Sequence, residues 1–376
     1  MKYYLIAGER SGDLHGANLM KQLKKLDQQA EFRFFGGEAM QQQGGTLVKH
    51  YQEVAFMGIA EVVTNLRTIW QALRFCKQDI EQYQPQALIL IDYAGFNLRI
   101  AQYIKKKRLP IKIYFYISPK VWAWNTKRVR YIKENIDKMF CILPFEVDFY
   151  QKFGYFQAFY VGNPLIDAIA DFVPNPYFRT HNQLSEKPIV ALLPGSRKQE
   201  VAKILPVMVS VASYFPDYQF IVAGVNNLPK QLYEPYQSNY IKIIYEQTYD
   251  LLAHAHAALV TSGTATLETA LWDVPQVVCY ITSYVTYYFA KAVLKIPYIS
   301  LVNLVAQAKI AEELIQKKCN KTNIIQHLEQ ILPINSPRRL TMLQNYAELK
   351  NRMGEAGASY RTAQAIWADL TTVYPY

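Results

Sequence analysis

Short apolar runs that end at a turn and lead into a helical pattern recur along this chain. The runs are Tyr3–Ala7, Phe32–Phe35, Ala87–Ile91, Ile111–Ile117, Met139–Leu143 and Phe159–Val161 in the first half, and Ile189–Leu193, Phe220–Ala223, Ile241–Ile244, Leu259–Val260 and Gln276–Cys279 in the second. Alternating strands and helices build a parallel sheet with helices on its faces. Because the pattern starts again in the second half, the sequence predicts two doubly wound α/β sheets whose loops face a cleft.

A proline-rich stretch separates the two halves. Four prolines between residues 164 and 188 lie among polar residues and interrupt the strand–helix pattern, as domain linkers do. We therefore expect an N-terminal domain over residues 1–165 and a C-terminal domain over residues 166–350. Residues 351–376 complete a helical end that starts at Pro337, and their helix is a candidate to pack back on the N-terminal domain.

The composition excludes several classes of protein. Hydrophobic residues make up 51% of the chain and charged residues 19%, which excludes a disordered chain. No run of about 18 apolar residues lacks a charge or a helix breaker, so the sequence predicts no membrane-spanning helix. Glu9 and Arg10 follow Met1 too soon for a signal peptide, and we expect a cytoplasmic protein.

The charge and the cysteines limit the ligands. A net charge of +11 favours an anionic partner, and nucleic acid, acidic phospholipid and sugar phosphate all fit it. Cys76, Cys141, Cys279 and Cys319 lie far apart, without the paired spacing of a metal site or a disulfide framework. We therefore expect no metal and no cofactor.

Two turns in the second half have the composition of phosphate-binding loops. In the stretch Thr261–Glu268, Gly263 permits close approach of a ligand, and the N–H groups of residues 264–266 open a helix. The turn Pro194–Arg197 adds a guanidinium suited to a diphosphate. Neither half contains a Gly-x-Gly-x-x-Gly or a Walker lysine loop, which argues against a dinucleotide dehydrogenase or a P-loop enzyme.

Polar side chains also follow strands of the first half. Asp92 ends a buried strand, where a carboxylate is costly to desolvate and is a candidate for acid–base chemistry. The charged turn Gly8–Asp13 follows the first strand, and its Ser11 and Asp13 are also suited to cap the next helix. A third loop, Ser118–Asn125, carries two tryptophans, which folding alone rarely requires.

Three further segments carry structural expectations. Val54–Phe75 is apolar and aromatic with interspersed basic residues, and both a core helix and a helix lying partly in a membrane surface fit this pattern. Ser300–Leu304 is expected to be irregular. Ala311–Gln316 is expected to begin or continue a helix.

Several motifs follow one another in a fixed order over nearly the whole chain. They are Gly8–Asp13, Ser118–Trp124, Leu143–Glu146, Leu193–Arg197 with Glu200, Ser262–Glu268, and Asn303 with Glu313–Gln316. In this order they resemble the motifs of the lipid-A-disaccharide synthase family. The resemblance implies the GT-B architecture of glycosyltransferases, with two Rossmann-like domains facing a cleft.

The family resemblance implies a reaction and a location. It implies a hexosyltransferase of lipid A biosynthesis that joins UDP-2,3-diacylglucosamine to the 6-hydroxyl of 2,3-diacylglucosamine 1-phosphate. The products are the β-1,6-linked lipid A disaccharide 1-phosphate and UDP. Such an enzyme is expected to be peripheral on the cytoplasmic face of the inner membrane of a Gram-negative bacterium, with no nucleic-acid partner, and a homodimer is left open.

The resemblance also implies roles for individual residues. Inverting transfer needs a base for the acceptor hydroxyl and dipolar or positive groups for the departing UDP. Asp92 is our first choice for the base, with Glu9 and Asp13 as competitors. Glu268 is expected to hold the ribose, and the two phosphate loops the diphosphate. The residues expected to bind substrate are Ser11, Gly12, Asn97, Trp122, Ser196, Arg197, Glu200, Ser262, Gly263, Thr264, Ala265, Thr266, Glu268, Asn303, Glu313 and Gln316.

Two positions depart from the family pattern. The family's Asp-x-Pro-Asp-Phe-Asn is Asp92-Tyr93-Ala94-Gly95-Phe96-Asn97 here; Gly95 thus stands at the second carboxylate, which favours Asp92 as the base. Asn163 stands where the family often has a histidine, so no histidine role carries over. The rivals are another UDP-sugar enzyme, similar to UDP-N-acetylglucosamine 2-epimerase, and a non-catalytic protein that binds anionic lipid or nucleic acid.

Overall fold

The computed structural model describes residues 1–53, 66–294 and 296–373. The chain divides into two compact units. One consists of Met1–Asp167 together with Glu355–Tyr376, and the other of Ala168–Gly354. The first unit is therefore built from both ends of the chain, whereas the second is continuous.

The first unit is built on a parallel sheet in the order β3-β2-β1-β4-β5-β6-β7. Its strands are β1 (Lys2–Ala7), β2 (Glu31–Gly36), β3 (Thr46–His50), β4 (Ala87–Ile91), β5 (Lys112–Tyr116), β6 (Lys138–Cys141) and β7 (Ala158–Tyr160). Its helices are Arg10–Leu26, Glu38–Gln42, Leu66–Tyr83, Ala94–Lys107, Val121–Trp124, Arg128–Asn135, Phe145–Lys152 and Ala358–Val373, with Pro164–Ala170 at the boundary between the units. Every residue of β4 is buried, as expected for a central parallel strand covered on both faces.

The helix Ala358–Val373 belongs to the core of the first unit. Its Ile366 and Leu370 share one apolar cluster with Tyr3 and Leu5 of β1. The carboxylate of Asp369 adds polar contacts to the sheet: the Tyr114 hydroxyl donates to it at 2.7 Å, and the Lys138 ammonium lies 2.7 Å away. These contacts join the end of the chain to the sheet that begins it.

The second unit is built on a parallel sheet in the order β10-β9-β8-β11-β12-β13. Its strands are β8 (Ile189–Leu193), β9 (Gln219–Gly224), β10 (Ile241–Tyr245), β11 (Ala255–Thr261), β12 (Gln276–Tyr280) and β13 (Glu312–Ile315). Its helices are Phe178–His181, Lys198–Val209, Thr248–His254, Thr264–Leu271, Tyr284–Val293, Leu301–Ala306, Lys321–Ile331 and Pro337–Met353. Both units are thus Rossmann-like, and the predicted α/β fold class is confirmed.

Two local predictions are wrong. The segment 311–316 was expected in a helix, but it contains β13, where Leu314 pairs with Cys279 of β12. Its apolar run is too short for a strand period to be distinguished from a helical one. Leu301–Ala306 is a helix, not an irregular segment, and it buries Asn303 completely.

The helical end of the chain is also interrupted. Gly354 and Gly357 have φ of 71° and 114°, a region that residues with a side chain rarely adopt. They separate the helix Pro337–Met353 of the second unit from the helix Ala358–Val373 of the first.

The apolar, aromatic segment Val54–Phe75 can be followed only from Leu66 onward, since residues 54–65 lie outside the described part of the chain. From there it forms the helix Leu66–Tyr83, which buries Leu73 and leaves Trp70 64% exposed. Within the described ranges, no helix is long and apolar enough to cross a membrane.

Candidate active site

Three neighbouring strands of the first unit end at one edge of its sheet. The register pairs Ala7 of β1 with Ile91 of β4, and Ile91 with Tyr116 of β5. The residues that follow are therefore side by side, and they include Glu9 and Asp92. Ligands bind at this carboxyl edge in open α/β sheets.

Asp92 lies in a strained turn. Its φ is 43° and that of Tyr93 is 45°, values that few residues with a side chain adopt. A Cβ atom on Gly8 would lie 2.2 Å from Cγ of Tyr93, so a glycine is needed where the ring crosses the end of β1. Strain of this kind is typical of functional sites.

The side chain of Asn97 holds the main chain around Asp92. It is fully buried, and its amide nitrogen donates to the carbonyls of Asp92 at 2.7 Å, Ile91 at 3.3 Å and Ile6 at 3.5 Å. Asn97 was expected to bind substrate, and the structure gives it contacts to its own chain that fix the turn carrying Asp92.

The Asp92 carboxyl has the electrostatics of a base that works near neutral pH. Burial raises its pKa to about 6, and the negative charge of Glu9 acts in the same direction. The ammonium of Lys120 and the backbone N–H of Tyr93 act against both. A carboxyl group with this pKa is ionised at pH 7 and still basic enough to take a proton.

Asp13 and Glu9, the other two candidate bases, differ from Asp92 in their contacts. Asp13 is 3% exposed, and its carboxylate accepts the N–H groups of Gly37 at 2.6 Å, Ala39 at 3.0 Å and Met40 at 3.1 Å. It thus caps the start of the helix Glu38–Gln42. Glu9 accepts the hydroxyl of Ser11 at 2.7 Å.

Gly12 and Trp122 also lie at the edge of the first sheet. A Cβ atom on Gly12 would lie 3.3 Å from Cβ of Ala7, so the first helix packs closely on β1. The indole of Trp122 donates to the carboxylate of Glu146 at 3.0 Å.

Glu146 is a buried carboxylate to which sequence reasoning assigned no role. It is 1% exposed, and it also accepts the N–H groups of Ile142 at 3.2 Å and Leu143 at 3.0 Å. Burial raises its pKa to about 7, although these N–H groups lower it. The available signal was an acidic residue two positions after Pro144, in the turn that follows a buried strand.

In the second unit the two predicted phosphate loops lie side by side. Leu193 of β8 pairs with Val260 of β11, so the turns after these strands are adjacent. Gly195 has φ 108°, and a Cβ atom there would lie 2.7 Å from the Glu200 carboxylate and 3.2 Å from Cγ2 of Thr261. The glycine therefore allows both the turn and the close approach of the two loops.

Arg197 is an exposed cation at this edge. Its side chain is 73% exposed, and its guanidinium lies 3.1 Å from the Glu200 carboxylate. Ser196 beside it is exposed as well. The remaining N–H groups of the guanidinium face solvent and are suited to a diphosphate.

The second phosphate loop opens the helix Thr264–Leu271 after Gly263. The first N–H groups of a helix have no intrahelical acceptor, which leaves those of Thr264 and Ala265 for a ligand. The N–H of Thr266 was expected to be free as well, but it donates to the Gly263 carbonyl at 3.3 Å. The Ser262 hydroxyl donates to the carbonyl of Ile299 at 2.8 Å.

Glu268 lies one turn further along this helix. Burial raises the pKa of its carboxyl, and the Tyr249 hydroxyl donates to Oε1 at 2.9 Å. In the described part of the chain no hydrogen bond to Oε2 accompanies this one.

Asn303, Glu313 and Gln316 contact their own chain. Glu313 accepts the N–H and the hydroxyl of Ser300 and the amide of Asn303, at 3.0, 2.6 and 2.9 Å. Gln316 accepts the N–H of Thr282 at 2.8 Å and donates to its carbonyl at 3.3 Å. These side chains hold the segments around Thr282 and Ser300 in place.

No three His, Cys, Asp or Glu side chains in the described ranges lie close enough together to hold a metal ion. The charge of a bound anion would be met by Arg197 and by the N–H groups of the two loops.

Comparison with solved structures defines the class. The UDP-GlcNAc 2-epimerase of Neisseria meningitidis, solved bound to UDP-GlcNAc, matches with a TM-score of 0.68 and 13% identity, over 98% of this chain and 100% of that one. The calicheamicin glycosyltransferase CalG4 matches with a TM-score of 0.62 and 14% identity, over 100% of this chain and 99% of that one. The fold is thus the two-domain GT-B architecture that glycosyltransferases and epimerases share.

Sequence comparison identifies the family. The model of the lipid-A-disaccharide synthetase family matches residues 3–365. Lipid-A-disaccharide synthases of Myxococcus xanthus and Coxiella burnetii are each 35% identical to this chain, over 96% of both chains. The synthase 1 of Legionella pneumophila is 35% identical over 97% of both chains. The chain belongs to the lipid-A-disaccharide synthetase family, and it is a disaccharide-forming hexosyltransferase.

Proposed function

We propose that this enzyme transfers the diacylglucosamine unit of UDP-2,3-diacylglucosamine to the 6-hydroxyl of 2,3-diacylglucosamine 1-phosphate. Membership of the family supports a UDP-sugar donor and a sugar-phosphate acceptor. The observation that carries the chemistry is Asp92, a carboxyl group with a pKa of about 6 at the carboxyl edge of the first sheet.

The proposed reaction is a single inverting displacement. The acceptor 6-hydroxyl attacks the anomeric carbon of the donor, and its proton passes to the Asp92 carboxylate. The bond from the anomeric carbon to the UDP oxygen breaks, and its electron pair leaves with UDP. A positioned base of this kind contributes roughly 10²–10⁴-fold to the rate.

The second unit is proposed to hold the UDP. The guanidinium of Arg197 and the N–H groups at the start of the helix Thr264–Leu271 would neutralise the charge that develops on the diphosphate. Oε2 of Glu268 would accept from the ribose diol, with Oε1 already engaged by Tyr249.

UDP release tests the reaction. We expect release from UDP-2,3-diacylglucosamine in detergent micelles only when the 1-phosphate acceptor is added. Asp92→Asn should lose at least about 100-fold in turnover while it binds UDP as the wild type does. UDP binding without acceptor-dependent release would refute the substrate assignment, and release by Asp92→Asn at the wild-type rate would refute the base.

We also propose that the enzyme acts as a peripheral protein on the cytoplasmic face of the inner membrane. An open groove of about 830 Å³ runs between the helices Leu66–Tyr83 and Ala94–Lys107, and its lining combines Trp70 with Arg74, Lys77 and Arg99. Aromatic and basic side chains together suit the interface of an anionic bilayer.

Liposome co-sedimentation tests this membrane assignment. Trp70→Glu should reduce binding to vesicles that contain anionic phospholipid. The control is Tyr177→Glu, which changes an aromatic residue that is similarly exposed, at 65%, in the second unit. Equal binding of Trp70→Glu and the wild type would remove this helix from the membrane contact.

A further inference from the structure

The loop after β5 begins with a strained residue. Ile117 has φ 68°, and a β-branched side chain in this left-handed region is a true outlier. Its N–H donates to the Phe140 carbonyl at 3.1 Å, which holds the strained residue against β6. Such strain persists only where the surrounding contacts enforce it.

Two side-chain hydrogen bonds hold the loop in place. The Ser118 hydroxyl lies 2.9 Å from the Tyr150 hydroxyl, and the Trp122 indole donates to Glu146. The Glu146 carboxylate accepts three N–H groups. Within the described ranges, no Lys, Arg or His side chain forms an ion pair with it. A buried carboxylate without a counter-ion is costly, and an apolar side chain could fill the same space.

The loop that Glu146 holds in place lies next to Asp92. Asp92 donates its backbone N–H to Tyr116 at 3.1 Å, so the loop starts directly beside Asp92. Lys120 follows three residues after Ile117 and is exposed, and its charge favours the ionised form of Asp92.

We propose that Glu146 is a positioning residue for catalysis: by holding the indole of Trp122, it fixes the loop that carries Lys120 and begins beside the turn of Asp92. The inference rests on the proposed role of Asp92 as the base. Glu146 does not touch the reacting atoms in this arrangement.

The charged and titratable groups around Asp92 and Glu146 decide in which direction the pKa of Asp92 moves when the loop is released. Glu9 and Lys120 face Asp92, and Cys141, Tyr150 and Tyr160 surround Glu146. Loss of the Lys120 charge from its place raises the pKa of Asp92, because the ionised form loses an attractive charge. The acid limb of kcat/KM then moves to higher pH.

The variants follow from the hydrogen bonds of Glu146. In Glu146→Gln the amide oxygen can keep the N–H groups of Ile142 and Leu143, which places the NH₂ group against the Trp122 donor. Trp122→Phe removes the same bond from the other side, and Lys120→Ala removes the charge itself. Tyr155→Phe is the control, since it removes a buried hydrogen bond to the Ile136 carbonyl that does not involve the loop.

The test is the pH profile of kcat/KM, together with kcat, UDP affinity and thermal stability. We expect Glu146→Gln and Trp122→Phe to move the acid limb upward by at least about 0.3 pH unit and to lower kcat, with UDP affinity unchanged. In the Lys120→Ala background, Glu146→Gln should cause no further shift. Tyr155→Phe should lower stability and leave the acid limb where it is.

An unchanged or downward-shifted acid limb in Trp122→Phe would overturn the inference, even if Glu146→Gln fails to fold. So would an additive shift in the Lys120→Ala background. If Asp92→Asn keeps wild-type turnover, the proposed base is wrong; if it is inactive and the Trp122→Phe profile matches the wild type, only the role of Glu146 is wrong.

Discussion

Asp13→Asn distinguishes a structural carboxylate from a catalytic one. In the wild type, Oδ1 of Asp13 accepts the N–H groups of Gly37 and Met40, and Oδ2 accepts that of Ala39. The asparagine oxygen can keep the first pair of bonds. Its NH₂ group then faces the Ala39 N–H, so one charge-assisted bond is lost at a buried position.

The expected loss of stability in Asp13→Asn follows from that single bond. A buried hydrogen bond to a charged group contributes about 1.5–3 kcal/mol. In a unit of roughly 190 residues, each kcal/mol lowers Tm by about 2–4 °C. We therefore expect a loss of about 3–12 °C in the first unit, measured by calorimetry.

Activity is then measured well below the lowered Tm. Asp13→Asn should keep at least about a third of the wild-type turnover, because the proposed reaction takes Asp92, not Asp13, as its base. Asp92→Asn should be at least as stable as the wild type at pH 8, since burial raises the pKa of Asp92 and the wild type loses stability as this carboxyl ionises with pH rising through about 6. An Asp13→Asn enzyme with wild-type Tm and no turnover would refute this reasoning.

Three further predictions concern other parts of the two units. The kcat/KM of the wild type should fall as pH drops through about 6, because Asp92 gains a proton. Glu9→Gln should move this acid limb to lower pH, because it removes a negative charge that raises the pKa of Asp92. A Glu9→Gln profile identical to that of the wild type would contradict this. Arg197→Lys should weaken UDP binding by about tenfold in calorimetric titration, because an ammonium lacks the planar fork of donors; unchanged affinity would exclude Arg197 from the diphosphate site. Asp369→Ala should destabilise the first unit by about 2–3 kcal/mol in urea titration, since the Tyr114 hydroxyl and Lys138 lose their acceptor. The control Glu134→Ala removes an exposed ion pair and should cost less than about 0.5 kcal/mol. Equal losses of stability in the two variants would contradict the prediction.

The fold class could be predicted because its determinants are local. Buried parallel strands such as Ala87–Ile91 read as continuous apolar runs, and glycine or polar turns mark where each ends. The prediction failed where the local pattern was short. Glu312–Ile315 is a strand because it pairs with β12, and pairing with a distant segment leaves no trace in four residues.

The candidate site could be predicted only as a set of residue types at strand ends. Sequence reasoning could place Asp13 and Asp92 at the same edge, but it could not show that three N–H groups from another segment occupy Asp13. It also gave no role to Glu146, because the donor that identifies it, Trp122, lies 24 positions earlier in the chain. Such contacts depend on tertiary packing.

The return of the helix Ala358–Val373 to the first unit constrains the order in which the protein can fold during synthesis. The second unit is continuous, so it can close as soon as Gly354 has left the ribosome. The apolar cluster around Tyr3 and Leu5 stays incomplete until Ile366 and Leu370 have been made. At roughly 5–20 residues per second, the N-terminal sheet waits tens of seconds for the helix Ala358–Val373, with the part of its face that this helix covers left open.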